Sequence, residues 1–292
     1  MMNIKRAHSL KHPRAGLVYA CMLILFALPW QVQAQELYVF SEPASNMPAR
    51  AVGLKYTGKF LKGIHSGKLE QRQMLQAQFG LSKKWMIHTS TTISDMYSYP
   101  VTRWESANVY VKYRFLSMDQ VHAHFRMAAF LEASYSRNQL FYDELTLEGD
   151  QSGVQAGIIA TQLLHKLAIS GTVSTLQVLS GQRNDYDGSN RPYPFSALNY
   201  SLSAGYLLFP RKYTSYKQTN FNLYMELLGS QTLDKRRHFV DLAPAAQFIF
   251  NSTTKLNFGY RFQLSGNMHR MAEEQFQLSV ETVFLNKLRR NK

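Results

Sequence analysis

The chain has 292 residues, 45% of them hydrophobic, and a formal net charge of +14. That length suffices for one substantial domain, and a single cysteine, Cys21, rules out an internal disulfide framework. The bases are scattered rather than gathered in dense blocks, which argues against nucleic acid as a partner.

Residues 1–34 read as a secretory signal. Lys5, Arg6, Lys11 and Arg14 form a basic leader, residues 15–30 an apolar stretch, and Val32-Gln33-Ala34 a small-x-small cleavage site. An uncleaved anchor helix is the alternative, but the apolar run is short for a span. Cleavage removes four bases, no acids and Cys21, leaving a cysteine-free chain from Gln35 with a net charge of +10. No apolar run of helix-spanning length follows residue 34, which excludes a helical membrane protein. Residues 35–50 (QELYVFSEPASNMPAR) combine two prolines, small residues and a short apolar patch at 37–40. They predict either a periplasmic lead-in or a plug folded into the body that follows.

From residue 51 the chain breaks into about a dozen runs of alternating hydrophobicity. They fall at 51–60, 73–81, 86–95, 106–116, 122–134, 152–162, 167–178, 197–208, 219–228, 239–250, 254–265 and 275–285. Successive side chains on a strand face opposite ways. In the run at 254–265, Leu256, Phe258, Tyr260, Phe262 and Leu264 share one face; Lys255, Asn257, Gly259, Arg261 and Gln263 share the other. Near 106–116, Val109, Val111, Tyr113 and Phe115 oppose Asn108, Tyr110, Lys112 and Arg114. Each run approaches the ~9–11 residues that a tilted strand needs to cross a bilayer.

The connections alternate as well. Short links at 82–84, 117–120, 164–166 and 251–253 interleave with long polar ones at 61–72, 96–105, 135–151, 179–196, 229–238 and 266–274; the link at 209–218 is longer than its class. Short turns on one side and long loops on the other are the pattern of an outer-membrane barrel. Trp85, Phe115, Phe209, Phe250 and Phe284 on the turn side, with Tyr97, Trp104 and Tyr135 on the loop side, mark interfacial girdles. The expected fold is therefore all-β: a transmembrane antiparallel up-and-down barrel of about twelve strands over 51–285, with a basic tail at 286–292. A soluble sandwich is the competing architecture.

In the barrel register the charged phase faces the lumen. The predicted pore-lining residues are Lys55, Lys112, Arg114, Arg126, Glu132, Glu226, Arg261 and Glu281, accompanied by Lys59, His88, Asp241 and Lys255. Bases outnumber acids in this set, which points to passive passage of small solutes with a bias toward anions. The competing expectations are a lumen closed by paired charges and a non-conducting barrel that acts through its outer loops.

Other candidate chemistry is thin. His88 and Ser90 share a face, similar to the arrangement in outer-membrane phospholipase A, but they point inward and lack an identifiable third partner. His122 and His124 form a pair, and residues 268–271 (MHRM) hold soft ligands, yet neither completes a metal set. The acids of 184–190 lack the closing glutamate of a calcium loop. No catalytic set, metal site or cofactor motif is expected.

On these features the chain from Gln35 onward resembles outer-membrane β-barrel proteins. Residues 36–47 (ELYVFSEPASNM) are similar to the opening of an uncharacterised barrel family of Bacteroidota-type bacteria. The last strand, ending in Phe284, is similar to a C-terminal barrel-assembly signal, although LNKLRRNK follows it. The resemblance implies a Gram-negative outer membrane as location, with membrane lipid, the barrel-assembly machinery and small solutes as partners.

Overall fold

The computed structural model describes residues 38–63, 67–96, 101–121, 123–139, 141–180, 194–211, 215 and 217–288. Twelve strands are present among the described residues. The first six are β1 (Val52–Lys62), β2 (Leu69–Gly80), β3 (Trp85–Ser94), β4 (Arg103–Asp119), β5 (Ala123–Ser136) and β6 (Ser152–Leu164). The rest are β7 (Leu167–Ser180), β8 (Ser196–Phe209), β9 (Asn220–Thr232), β10 (His238–Phe250), β11 (Thr254–Gly266) and β12 (Glu274–Phe284). Each strand pairs antiparallel with its sequence neighbours, and β1 pairs with β12 from Val52↔Phe284 to Leu61↔Gln275, which closes the sheet. Closure removes the edges that an open sheet would leave unpaired in hydrocarbon.

The burial pattern is that of a membrane barrel. Leu54, Leu75, Val109, Leu131, Ile158, Val173, Leu202, Met225 and Phe276 are exposed on the outer surface, whereas Thr57, Lys112, Thr161, Ser203, Glu226, Asp241, Gln247 and Ser279 are buried. In water this arrangement would leave the hydrophobic residues unburied; in a bilayer it puts them against lipid. The soluble sandwich is therefore replaced by one closed barrel.

Turn chemistry explains the short links. His165 (φ 55°) leads the two-residue β6–β7 link, and Asn251 (φ 50°) and Ser252 (φ 58°) lie in the three-residue β10–β11 link. Asn is among the residues that enter this region most readily. At the β2–β3 link the Ser82 hydroxyl accepts from the Lys84 and Trp85 N–H groups at 3.2 and 3.1 Å. The main departure from the periodicity is β4, which runs to Asp119 and absorbs most of the link expected at 117–120, with a bulge between Arg114 and Leu116. The girdle aromatics pair across strands: Trp85 lies 4.5 Å from Tyr113 and Trp104 lies 6.2 Å from Tyr135, centroid to centroid. Tyr97 lies outside the described residues.

Candidate functional site

Residues 38–50 lie inside the barrel. Their mooring is Glu226, a fully buried carboxylate midway along β9. Its oxygens accept from three successive backbone N–H groups, those of Val39 (2.8 Å), Phe40 (3.0 Å) and Ser41 (2.9 Å). Ser203 of β8 donates to the same carboxylate at 3.2 Å and meets the Ser41 hydroxyl at 2.8 Å. Gln277 donates to the Val39 carbonyl at 3.0 Å. From there the segment descends to the turn side, where the Arg50 N–H reaches the Gly80 carbonyl at the end of β2. A chain without secondary structure has orphan N–H and C=O groups that must find partners once buried, and the polar face of the strands supplies them.

A second mooring is Lys112 of β4, which has no solvent exposure. Its ammonium donates to the Pro43 and Ser45 carbonyls (2.8 and 3.0 Å) and to the Glu42 carboxylate (3.2 Å). Arg126 donates to the Ser45 hydroxyl at 2.8 Å, and Thr161 accepts from the Ala44 N–H at 2.9 Å. Apolar contact completes the seat. Ala44 packs with the inward-facing Tyr110, Ala128, Phe130 and Ile159. The Phe40 ring occupies the space left by Gly259, where an added Cβ would come within 2.5 Å of it. Gly259→Val is therefore expected to unseat Phe40 while leaving the β11 ladder intact. Limited chymotrypsin digestion checks this: the variant gains cleavage at Phe40, and the wild type stays protected.

On the loop side the lumen is narrowed from above. Residues 137–139 and 141–151, between β5 and β6, fold inward, and Leu145 and Leu147 are buried against Leu176, Val178 and Ala197. Two arginine clusters fix this loop. Arg72 contacts Glu105 (2.8 Å), Asp150 (2.5 Å) and the Glu148 carbonyl (2.9 Å). Arg270, 3% exposed, donates to Glu144 (2.8 and 3.1 Å) and to both oxygens of Asp241 (each 2.8 Å), and stacks 4.0 Å over the Phe239 ring. Arg261 joins the same two acids, at 2.9 Å to Glu144 and 2.5 Å to Asp241. Lys59 pairs with Glu148, and Arg237 with Asp143. Between the loop and the wall lies a cavity of about 70 Å3, lined in part by Lys59, Arg72, Glu148, Arg261 and Arg270.

Both closures contain acids held well below their usual range. Burial pulls the Glu144 carboxyl up, but Arg270 and Arg261 outweigh it and hold it at about 2. Burial likewise raises Glu42, and Lys112, with His88 and Lys55 nearby, brings it to about 2. For a carboxylate depressed in the closed state, closure is fully supported above the ordinary value near 4.5 and weakens as pH falls toward 2. For Glu144 this is on the order of 3 kcal/mol. Acidification from pH 6 to pH 2.5 is expected to raise the open fraction, read as conductance in a planar bilayer, and a return to pH 6 should reverse it.

Four of the eight residues named from the sequence as pore-lining contact the inward segments. Lys112, Arg126 and Glu226 hold residues 38–50, and Arg261 holds the inward loop. Glu281 accepts from Lys255 at 2.6 Å, and Glu132 accepts from Asn108. Lys55 stands opposite Glu281 in the β1–β12 register, and Arg114 sits at the β4 bulge. What periodicity missed is the other half of each contact: Glu42, Glu144 and Asp150 lie in segments without a period. One signal was available. Tyr110, Phe130, Ile159, Leu176 and Val178 are apolar residues in the lumen phase, and such residues need an apolar cover.

Among the described residues the remaining candidates do not assemble into sites. Nδ1 of His88 hydrogen-bonds Gln76 and its ring stacks on Tyr110 at 4.4 Å, with no bond to Ser90. His124 meets Asp119 at 2.9 Å, whereas His122 lies outside the described residues. Met268 and Met271 are buried apart from any cluster of metal-binding side chains among the described residues. The acidic stretch 184–190 also lies outside them.

No family model matches the chain, and no curated protein matches it. Solved structures do. An outer membrane channel from Pseudomonas putida superposes with a TM-score of 0.52 at 13% identity, covering 85% of this chain and 100% of that one. The NanC porin superposes with a TM-score of 0.50 at 13% identity, covering 78% of this chain and 98% of that one. In fold, the chain is similar to these outer-membrane β-barrels.

Proposed function

We propose that this protein is a gated channel for small solutes in a Gram-negative outer membrane, closed at rest by residues 38–50 and narrowed on the loop side by the inward loop between β5 and β6. The observation that carries this reading is how the lumen is filled. It is filled by tethered segments held through polar contacts to a polar wall, not by interlocked strand side chains. Small barrels of about eight strands fill themselves with side chains, and barrels of 16–18 strands stay open. Twelve strands leave room for a chain segment, and the same room takes a solute when the segment leaves. The two superposed barrels, a channel and a porin, support this as fold-level analogy.

Lys55, Lys112, Arg114, Arg126, Glu132, Glu226, Arg261 and Glu281 would line the opened path, and the surplus of bases would favour anions. The residue 1–34 signal would deliver the chain to the outer membrane, and the terminal strand would present it to the assembly machinery. Its relatives would lie in the Bacteroidota-type barrel family that residues 36–47 resemble. A liposome-swelling assay on the Glu226→Ala chain, whose mooring for residues 38–50 is removed, tests the function: small anions should enter faster than cations of equal size, and a folded Glu226→Ala barrel that admits neither would overturn it. The non-conducting alternative is favoured by the same filled lumen, and it predicts that result.

A further inference from the structure

We infer that the lumen wall of β1–β4 is a binding site for a small hydroxylated carboxylate, and that the protein's own Glu42 occupies it in the closed state. The inference deepens the channel proposal by naming the solute class, and it rests on residues 38–50 being able to leave their seat. Two independent observations point to this wall. The first is charge. Glu42 sits 3.2 Å from Lys112, and Lys55 and His88 act on the same carboxylate. A buried ammonium that binds a side-chain carboxylate of the seated segment can bind the same group on a solute.

The second is polar groups left over. Among the described residues, the His88 Nε2, the Tyr110 hydroxyl and the Thr57 hydroxyl are buried with no hydrogen-bond partner. His88 is 4% exposed, Tyr110 7% and Thr57 1%. A buried polar group without a partner is destabilising, so a ligand that supplies one is favoured. All three belong to strands of this wall, β3, β4 and β1, and His88 stacks directly on Tyr110. Residues 38–50 therefore satisfy the ammonium and leave the His88 imidazole and the Tyr110 hydroxyl, both close to Glu42, unused. A ligand with one carboxylate and adjacent hydroxyls would use both. Glu42 supplies only the first, so it is an incomplete occupant that a fuller one can displace.

The test is calorimetric titration of the purified full chain in detergent with sodium gluconate, and with glucose as the neutral control. Glu42→Gln removes the internal competitor and is expected to tighten gluconate binding ~10-fold or more over wild type. Adding Lys112→Met to Glu42→Gln should abolish binding. Adding Lys55→Met should weaken it, which keeps the test decisive where Lys112→Met fails to fold. Equal affinity in wild type and Glu42→Gln, binding of glucose as tight as gluconate, or no gluconate binding by folded Glu42→Gln would each overturn the inference. Titration needs no conduction, so the two failures separate. Gluconate binding by Glu42→Gln together with a folded Glu226→Ala chain that stays silent in bilayers overturns the channel alone, and a conducting Glu226→Ala chain together with a Glu42→Gln chain that binds no gluconate overturns the carboxylate site alone.

Discussion

Glu226→Ala is expected to open the barrel. The carboxylate accepts from the N–H groups of Val39, Phe40 and Ser41 and from the Ser203 hydroxyl. Hydrogen bonds to a charged group contribute about 1.5–3 kcal/mol each. Even at the low end, losing the three backbone contacts removes on the order of 4 kcal/mol from the seated state, roughly a thousandfold in the equilibrium. Unseating also returns conformational entropy to the freed residues, which adds to the shift. The barrel itself should remain intact, because the alanine leaves no buried charge behind and the β8–β9 and β9–β10 ladders do not depend on this side chain. The outcome is a steady single-channel current where the wild type shows rare openings, with unchanged heat-modifiable mobility on a gel. A folded variant as silent as the wild type would mean that Glu226 does not hold the gate.

Arg270→Ala is expected to give the largest loss of stability. The side chain holds Glu144 and Asp241 at once, and Asp241 has no exposure. Removing one member of a buried ionic cluster leaves an uncompensated charge and costs about 3–5 kcal/mol. Arg261 stays beside both acids and limits the damage to that range. The midpoint of urea unfolding should fall accordingly, and chymotrypsin should gain access to Phe141 and Tyr142 in the released loop. Arg270→Lys should fall between, since an ammonium cannot reproduce the two-pronged contacts. The exposed Asp234–Arg236 pair, 4.0 Å apart, is the control, and breaking it should change stability by less than about 0.5 kcal/mol.

The barrel was legible because a strand's period is local. Leu256, Phe258 and Tyr260 face lipid, and Lys255, Asn257 and Gly259 face inward, whatever the rest of the chain does. The bounds of most strands follow to within a few residues for the same reason. The contents of the lumen were not legible, because they depend on partners far apart in sequence. Val39 and Glu226 are 187 residues apart, and Glu144 and Arg270 are 126. Nothing near Glu226 distinguishes a pore-lining acid from a mooring for three backbone amides. Gly259 illustrates the same limit: in the sequence it is one small residue in the inward phase, and only the seated Phe40 ring gives its missing side chain a purpose.

The most direct test of the closed lumen is a reversible lock. The mature chain expected from the sequence has no cysteine, so a single pair can be placed without background. The hydroxyl oxygens of Ser41 and Ser203 are 2.8 Å apart, close to the reach of a disulfide. Ser41→Cys with Ser203→Cys, built into the Glu226→Ala chain, joins residues 38–50 to the wall when oxidised and frees them when reduced. Recorded in one planar bilayer before and after reductant, the account predicts silence while the bridge is intact and a steady current once it is cut. A current that is the same in both states, from a chain shown to be cross-linked, would contradict it.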